Sequence, residues 1–232
     1  IGHDNFDSAC EALELGSVDM AVVDMAQLIR MEKNDENLPY GVVISGVLKR
    51  GDSRYVMIRK RHAKDLIENA VVATDSYSKT ERIKHMYDGI SCVVETDIRK
   101  CIEKLDTSEC DAVFVLLEDI KAARLHNSFL YRYTIMDYGE CVPVHGEGVY
   151  AMLTKGKKEA VRTARELSHK STAECFEIED DIISRVMQNV YVKTCDVYAR
   201  ISSDRLEIYA DVTGNRGRIR VNERGTFVNK NL

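Results

Sequence analysis

Pro143-Val144-His145-Gly146-Glu147-Gly148-Val149-Tyr150-Ala151-Met152 is the stretch whose reading decides the fold, together with Leu38-Pro39-Tyr40-Gly41 and Gly46-Val47-Leu48-Lys49-Arg50-Gly51-Asp52-Ser53-Arg54. In the first, a proline and two glycines bracket a glutamate and hand over to an apolar run. A loop at 143–148 therefore feeds a strand over Val149–Leu153. Gly146-Glu147-Gly148 is not a phosphate loop, because no Lys-Ser/Thr pair follows it and the next element is a strand. Val42–Leu48 and Tyr55–Ile58 predict two more strands, joined by a turn around Gly51-Asp52-Ser53.

Working outward, strands and helices alternate from residue 70. Ala70–Ala73, Cys92–Glu95 and Asp111–Leu117 read as strands, while Lys79–Tyr87 and Ile98–Leu105 read as helices, with one more helical turn after 117. That spacing implies βαβ units and a parallel sheet. Toward the start, Asn5 or Asp7 caps a helix whose apolar residues Ala9, Ala12, Leu13 and Leu15 end at Gly16, and Val18–Val23 follows as a strand. Past Lys155 come two long helices, Lys157–Ser168 and Thr172–Met187. Val190–Ile201, Arg205–Ala210 and Arg218–Val221 then form a small antiparallel set. The expected class is α/β. Lobe 1 takes residues 1–63 with 143–155, lobe 2 takes 68–138, and a C-terminal α+β domain takes 157–232.

The 232 residues are 44% hydrophobic and 31% charged, an ordinary globular composition sufficient for one to three domains. No apolar run is long enough to span a bilayer, and no basic-then-apolar leader opens the chain, so the expected location is cytoplasmic. The 7 cysteines (Cys10, Cys92, Cys101, Cys110, Cys141, Cys175, Cys195) are scattered, with neither a CxxC pair nor zinc-ligand spacing, as for buried thiols in a reducing compartment. A net charge of -5 without a basic stripe argues against nucleic acid as a partner. Glu177, Glu179, Asp180 and Asp181 spread over more than one helical face, which reads as solvated acidic surface. His145 and Cys141 are two groups without the further ligands a metal needs, so no metal site is expected.

Taken in order, these segments resemble the porphobilinogen deaminase (hydroxymethylbilane synthase) family along most of the chain, starting near Phe6. Gly16-Ser17-Val18-Asp19-Met20-Ala21-Val22 is similar to the segment leading into that family's catalytic loop. Leu38–Gly41 through Arg54 resembles the next segment, and Thr74-Asp75-Ser76 stands at its Gly-Thr-Ser-Ser turn. Cys110-Asp111-Ala112-Val113 is similar to the buried strand of its second lobe, and Thr172 with Glu179 to the helix before its cofactor site. The resemblance implies two periplasmic-binding-protein-like lobes with mixed or parallel sheets. It also implies a third domain whose cysteine holds a dipyrromethane cofactor, which primes assembly of porphobilinogen into a linear tetrapyrrole. The family's opening strand and first helix would precede Ile1, so lobe 1 is expected to be incomplete at its N terminus.

The residues that carry that chemistry differ. By this resemblance the loop is Val23-Asp24-Met25-Ala26-Gln27, with Gln27 at the carboxylate position and Asp24 the nearest acid, which also suits the N-cap of the following helix. Ser78 and Lys79 stand where the family has paired arginines, and Glu95 and Cys101 where it has two more. The cofactor cysteine falls on Val190, or on Tyr191 with a shift of one, and the nearest thiol is Cys195, with Lys193 on the same strand face. Dipyrromethane is accordingly expected to be absent.

The remaining site candidates are Thr74, Ser76, Lys79, Arg50, Arg54 and the Gly146/Gly148 backbone. The helix start after Thr74 and Ser76, with Lys79, suits a carboxylate or phosphate. Ordinary capping by Ser76 or Ser78 is the alternative. Three functions follow: a divergent hydroxymethylbilane synthase, a non-catalytic relative binding a small anion or pyrrole intermediate, or an interaction paralogue with no ligand.

Overall fold

The structure, a computed structural model, describes residues 6–63, 68–126, 128–202, 205–215 and 217–226. The chain forms two compact units, Ile1–Gly51 with His145–Leu232 and Asp52–Val144.

In the first unit, α1 (Phe6–Glu14) buries Phe6, Ala9, Cys10 and Leu13, the i, i+3, i+4, i+7 stripe of an amphipathic helix. It ends at Gly16, whose φ of 68° a side chain would resist. Asp7 lies inside the helix and so is not its cap, and Asn5 lies outside the described residues. β1 (Met20–Asp24) leads straight into α2 (Met25–Lys33), and β2 (Val42–Val47) follows. The strand fed by the 143–148 loop, β8 (Tyr150–Lys155), is the middle of an antiparallel sheet in the order β1-β8-β2. Val149, Ala151 and Leu153 meet Leu13, Val23, Leu28 and Val47 in its core.

After β8, α6 (Lys158–Leu167) lies close against β2. A Cβ on Gly46 would come 2.7 Å from the Ala164 carbonyl oxygen, so only glycine allows the approach. α7 (Lys170–Met187) begins where β2 ends. The Val47 N–H donates to Ser168 Oγ at 3.1 Å, the His169 N–H to the Val47 carbonyl at 2.9 Å, and the Arg50 N–H to Thr172 Oγ1 at 3.0 Å. The C-terminal strands β9 (Val192–Ser202), β10 (Arg205–Gly214) and β11 (Gly217–Thr226) form an antiparallel meander. Its Cys195, Val197 and Ala210 pack on Ile182, Ile183 and Val186 of α7.

The second unit is one five-stranded sheet, built from β3 (Tyr55–Lys60), β4 (Val71–Thr74), β5 (Ser91–Val94), β6 (Ala112–Leu116) and β7 (Tyr131–Ile135) in the order β5-β4-β6-β3-β7. β4 runs parallel to both β5 and β6, crossing over through α3 (Tyr77–Lys84) and α4 (Ile98–Asp106), as the alternation predicts. α5 (Leu117–Ala122) follows β6 directly.

Two expectations change. Tyr55–Ile58 reads as a lobe 1 strand turned back from Val42–Leu48. Instead β3 pairs antiparallel with β6 and β7, and Gly51-Asp52 is the crossing between units. The reason is burial: Tyr55, Val56, Met57 and Ile58 are each at most 2% exposed, so both faces need cover. β7 is an edge strand that the sequence reading leaves out. Its alternating Tyr131, Tyr133 and Ile135 is the period-2 signal that marks it.

The Gly46 contact gives a direct test. Gly46→Ala should destabilise the first unit by about 1–3 kcal/mol, because the added methyl meets backbone rather than a movable side chain. Urea unfolding followed by circular dichroism would show the lowered midpoint.

Candidate functional site

The first unit is organised around Arg50, carried on the extended segment after β2. Its guanidinium donates to both oxygens of Glu179 on α7, Nη1 to Oε1 at 2.5 Å and Nη2 to Oε2 at 2.8 Å, and Nη1 also donates to the Ala199 carbonyl at 3.1 Å. The Ala199 N–H donates to Glu179 Oε1 at 2.7 Å, and the guanidinium lies 4.9 Å from the centre of the Tyr198 ring. Burial pushes the Glu179 carboxyl up, but the bonds from Arg50 and His145 outweigh it, and the group sits below its ordinary value. Burial likewise lowers Arg50, and the bond to Glu179 more than restores it. Glu179 is fully buried, which corrects its reading as solvated surface; Asp180 and Asp181 keep exposed carboxylates.

His145, from the 143–148 loop, joins this node. Its ring stacks on Phe176 at 4.8 Å and 13°, with Nε2 3.2 Å from Asp180 Oδ1 and Nδ1 3.5 Å from Glu179 Oε2. The signal that could have found the node is the buried stripe Thr172, Cys175, Glu179 on α7, whose i, i+3, i+7 spacing places a carboxylate on an inward face.

Gly146 acts as a packing residue, and Gly148 turns the chain with a φ of 71°. Gly146 has a φ of 85°, and a Cβ there would lie 2.6 Å from Ile29 Cδ1 and 3.0 Å from the Ala26 nitrogen. The loop thus lies flat on the start of α2, where the Met25 N–H donates to the Val149 carbonyl at 2.9 Å. The Gly148 carbonyl is taken by the Gly51 N–H at 3.1 Å. Asp24 is the N-cap of α2, accepting from the Ala26 N–H at 2.7 Å, and Gln27 is half-buried three residues on.

In the second unit, Thr74 closes β4 and is fully buried, its Oγ1 without a hydrogen-bond partner among the described residues. Ser76 is the N-cap of α3 but makes no side-chain cap bond; its Oγ lies 3.1 Å from Ser78 Oγ. Lys79 corrects the expected anion site. It is buried, and its Nζ donates to both Asp75 oxygens at 2.7 Å, so its charge is already matched. Arg54 is matched in the same way by Asp52, Nε at 2.9 Å and Nη2 at 2.7 Å. That bond, against some desolvation, lowers the Asp52 carboxyl to about 2. Cys101, at one of the resemblance's arginine positions, is buried and donates to the Glu95 carbonyl at 3.1 Å; burial pushes its thiol up to about 12.

At the C-terminal turn, Val190 is 84% and Tyr191 58% exposed, between α7 and β9. Cys195 is buried against α7, and burial, reinforced by Asp196 and Asp211, pushes its thiol up to about 11. The cation that tempers it is Lys33 of α2, in place of the expected Lys193. All 7 cysteines are free, and each is buried except the half-buried Cys92. Among the described residues no His, Cys, Asp and Glu cluster could hold a metal, and no helix is long and apolar enough to cross a membrane.

The family model for "Porphobilinogen deaminase, dipyromethane cofactor binding domain" matches residues 6–163. The chain belongs to the porphobilinogen deaminase family. Among curated relatives, the porphobilinogen deaminase of Clostridium acetobutylicum is 22% identical over 218 residues, covering 88% of this chain and 74% of that protein. The probable porphobilinogen deaminase of Picrophilus torridus is 23% identical over 73% of this chain and 61% of its own length. That of Chlorobium luteolum is 24% identical over 80% and 59%. The chain thus spans about three-fifths of the length of these last two relatives. Solved structures that it is similar to include the periplasmic VFT2 domain of Bordetella pertussis BvgS, at TM-score 0.47 and 18% identity over 80% of this chain and 74% of that one. The substrate binding protein of an amino acid ABC transporter gives 0.45 and 16% over 82% and 80%.

The residues present do not suit the deaminases' thioether-linked dipyrromethane. Val190, which the resemblance sets at the attachment position, is exposed, and the nearest thiol, Cys195, is buried with its pKa pushed up to about 11.

The Arg50–Glu179 pair predicts a distinctive stability pattern. Arg50→Met should cost about 3–5 kcal/mol, since it strands a buried carboxylate, and Arg50→Met/Glu179→Leu should recover part of that loss. Because the Glu179 pKa is depressed in the folded chain, its contribution is present above the ordinary value of 4.5 and is lost as pH falls below it. Denaturation across that range should show a stability difference between wild type and double variant that shrinks as the pH drops.

Proposed function

We propose that this chain is a porphobilinogen-deaminase-like protein of tetrapyrrole (heme) biosynthesis whose classical activity is reduced or lost, and that it binds a small anionic molecule or pyrrole intermediate. The supporting observation is the C-terminal turn, where exposed Val190 stands in place of the cysteine and Cys195 is buried with a raised pKa. A thiol must ionise and reach its target to form a thioether, and this one does neither readily.

Gln27 adds to the case. Loss of ammonia from an aminomethyl pyrrole leaves an electrophile that needs a carboxylate to stabilise positive charge and handle protons. An amide cannot titrate. Asp24, the nearest acid, is committed to capping α2. Under this reading the protein is a cytoplasmic pseudoenzyme with no dipyrromethane, no nucleic-acid partner and no membrane partner. A divergent hydroxymethylbilane synthase with attachment relocated to Cys195 is the competing reading.

Intact mass under denaturing conditions, before and after incubation with porphobilinogen, separates the two. The mass should stay that of the unmodified chain, with no linear tetrapyrrole released. A stable dipyrromethane-sized adduct that disappears in Cys195→Ser would overturn the proposal.

A further inference from the structure

The first unit holds a cavity of about 450 Å³ between α2, the loop that follows it, β2 and α7. Its size falls within the range of small-molecule sites. The lining comes from residues 25–44 and 176–180, unbroken stretches of the described chain. Leu28 and Ile29 of α2, Ile44 of β2 and Phe176 of α7 are part of a mostly apolar wall. The polar lining is Glu32, Glu36, Asn37 and Asp180, with no basic side chain among the described residues.

The acidic end is fixed by the way α2 stops. The Asp35 N–H donates to the Glu32 carbonyl at 3.1 Å and the Glu36 N–H to the Met31 carbonyl at 2.9 Å, with Asp35 at a φ of 58°. These are the two bonds of a Schellman closure, with Asp35 in the place glycine usually takes. The closure brings Glu32 and Glu36 to the C-terminal end of the helix, where the backbone dipole is negative and a carboxylate is disfavoured. Neither carboxylate has a hydrogen bond or ion pair among the described residues. Arg30 and Lys33, the basic residues of the same turn, are exposed and do not line the cavity. Asp180 is held by His145 Nε2 at 3.2 Å, and the His145 ring stacks on Phe176. Ile44 is 47% exposed, apolar surface that an occupant would cover.

We propose that this cavity binds a small amphipathic cation, an apolar body carrying one ammonium group. The body lies against Leu28, Ile29, Ile44 and Phe176, and the ammonium meets Glu32 and Glu36. Charge complementarity selects the cation over an anion, and the apolar wall selects the body over a bare ammonium. The inference uses only residues of the first unit and does not rest on the family reading or on any cysteine, so the two can fail separately.

The chain has no tryptophan, so the indole fluorescence of a ligand reports its own binding. Anisotropy titrations on the full chain compare tryptamine, a ring with an ammonium, and indole-3-propionate, the same ring with a carboxylate. Methylammonium, an ammonium alone, is the competitor. Tryptamine should bind more tightly than indole-3-propionate by about tenfold or more, and equimolar methylammonium should not displace it. Glu32→Gln/Glu36→Gln should weaken tryptamine binding by about fivefold, as the loss of two exposed ion pairs would. Ile44→Ala should weaken it by about threefold through lost apolar contact. Glu11→Gln/Glu14→Gln, the same charge change on exposed residues of α1, should leave it unchanged, which separates the site from the net charge of -5. All the substituted side chains are exposed, so folding should persist, as circular dichroism would show. The proposal would be overturned by no binding of tryptamine, equal binding of indole-3-propionate, or displacement by methylammonium. An affinity unchanged in Glu32→Gln/Glu36→Gln or in Ile44→Ala, or an equal loss in the α1 pair, would overturn it as well.

Discussion

A charged pair buried in the first unit sets the position of much around it. Arg50 and Glu179 are 129 residues apart in sequence, yet each satisfies the other through two bonds. Both are almost wholly removed from water, an arrangement that is costly unless further hydrogen bonds support the pair. The surroundings meet most of that need, with Arg50 Nε and His145 Nδ1 left buried without a hydrogen-bond partner among the described residues. The Ala199 N–H and carbonyl add one bond to each partner, Tyr198 covers the guanidinium face, and His145 closes the far side of the carboxylate. The pair therefore fixes the segment after β2, the middle of α7, a point on β9 and the loop before β8 in one step.

Elements whose signal is local were readable in the sequence. The parallel β4, β5 and β6, the helices between them and the strand after Gly148 follow from hydrophobic periodicity and turn residues. What was not readable depends on partners far along the chain. The apolar run Tyr55–Ile58 announces burial but not which sheet buries it. Glu179 looks like one of four acids in a row until α7 is rolled against β9. Arg50, Arg54 and Lys79 each read as a cation awaiting a ligand, and each is matched by a carboxylate of the chain itself: Glu179, Asp52 and Asp75. Sequence position shows that charge is present; only the fold shows that it is already matched.

The same contrast separates ancestry from chemistry. Among the residues that carry the family resemblance, Gly46, Arg50 and Gly146 have packing reasons to be what they are, independent of any reaction. Gln27 and Val190, which the resemblance sets at the family's carboxylate and thiol positions, are half-buried and exposed respectively. On the function proposed above, the scaffold persists while the reacting groups change, because the constraints on the two sets of residues differ in kind.

If the buried pair joins the β2 segment to α7 and β9, these elements should open together. Native-state hydrogen exchange on the Ala199 amide, bonded to Glu179, compared with the β8 amides, measures this most directly. The account predicts the same opening free energy for both. Exchange at Ala199 through a separate, lower-energy opening that leaves β8 protected would contradict it, and would make the C-terminal elements an independent domain.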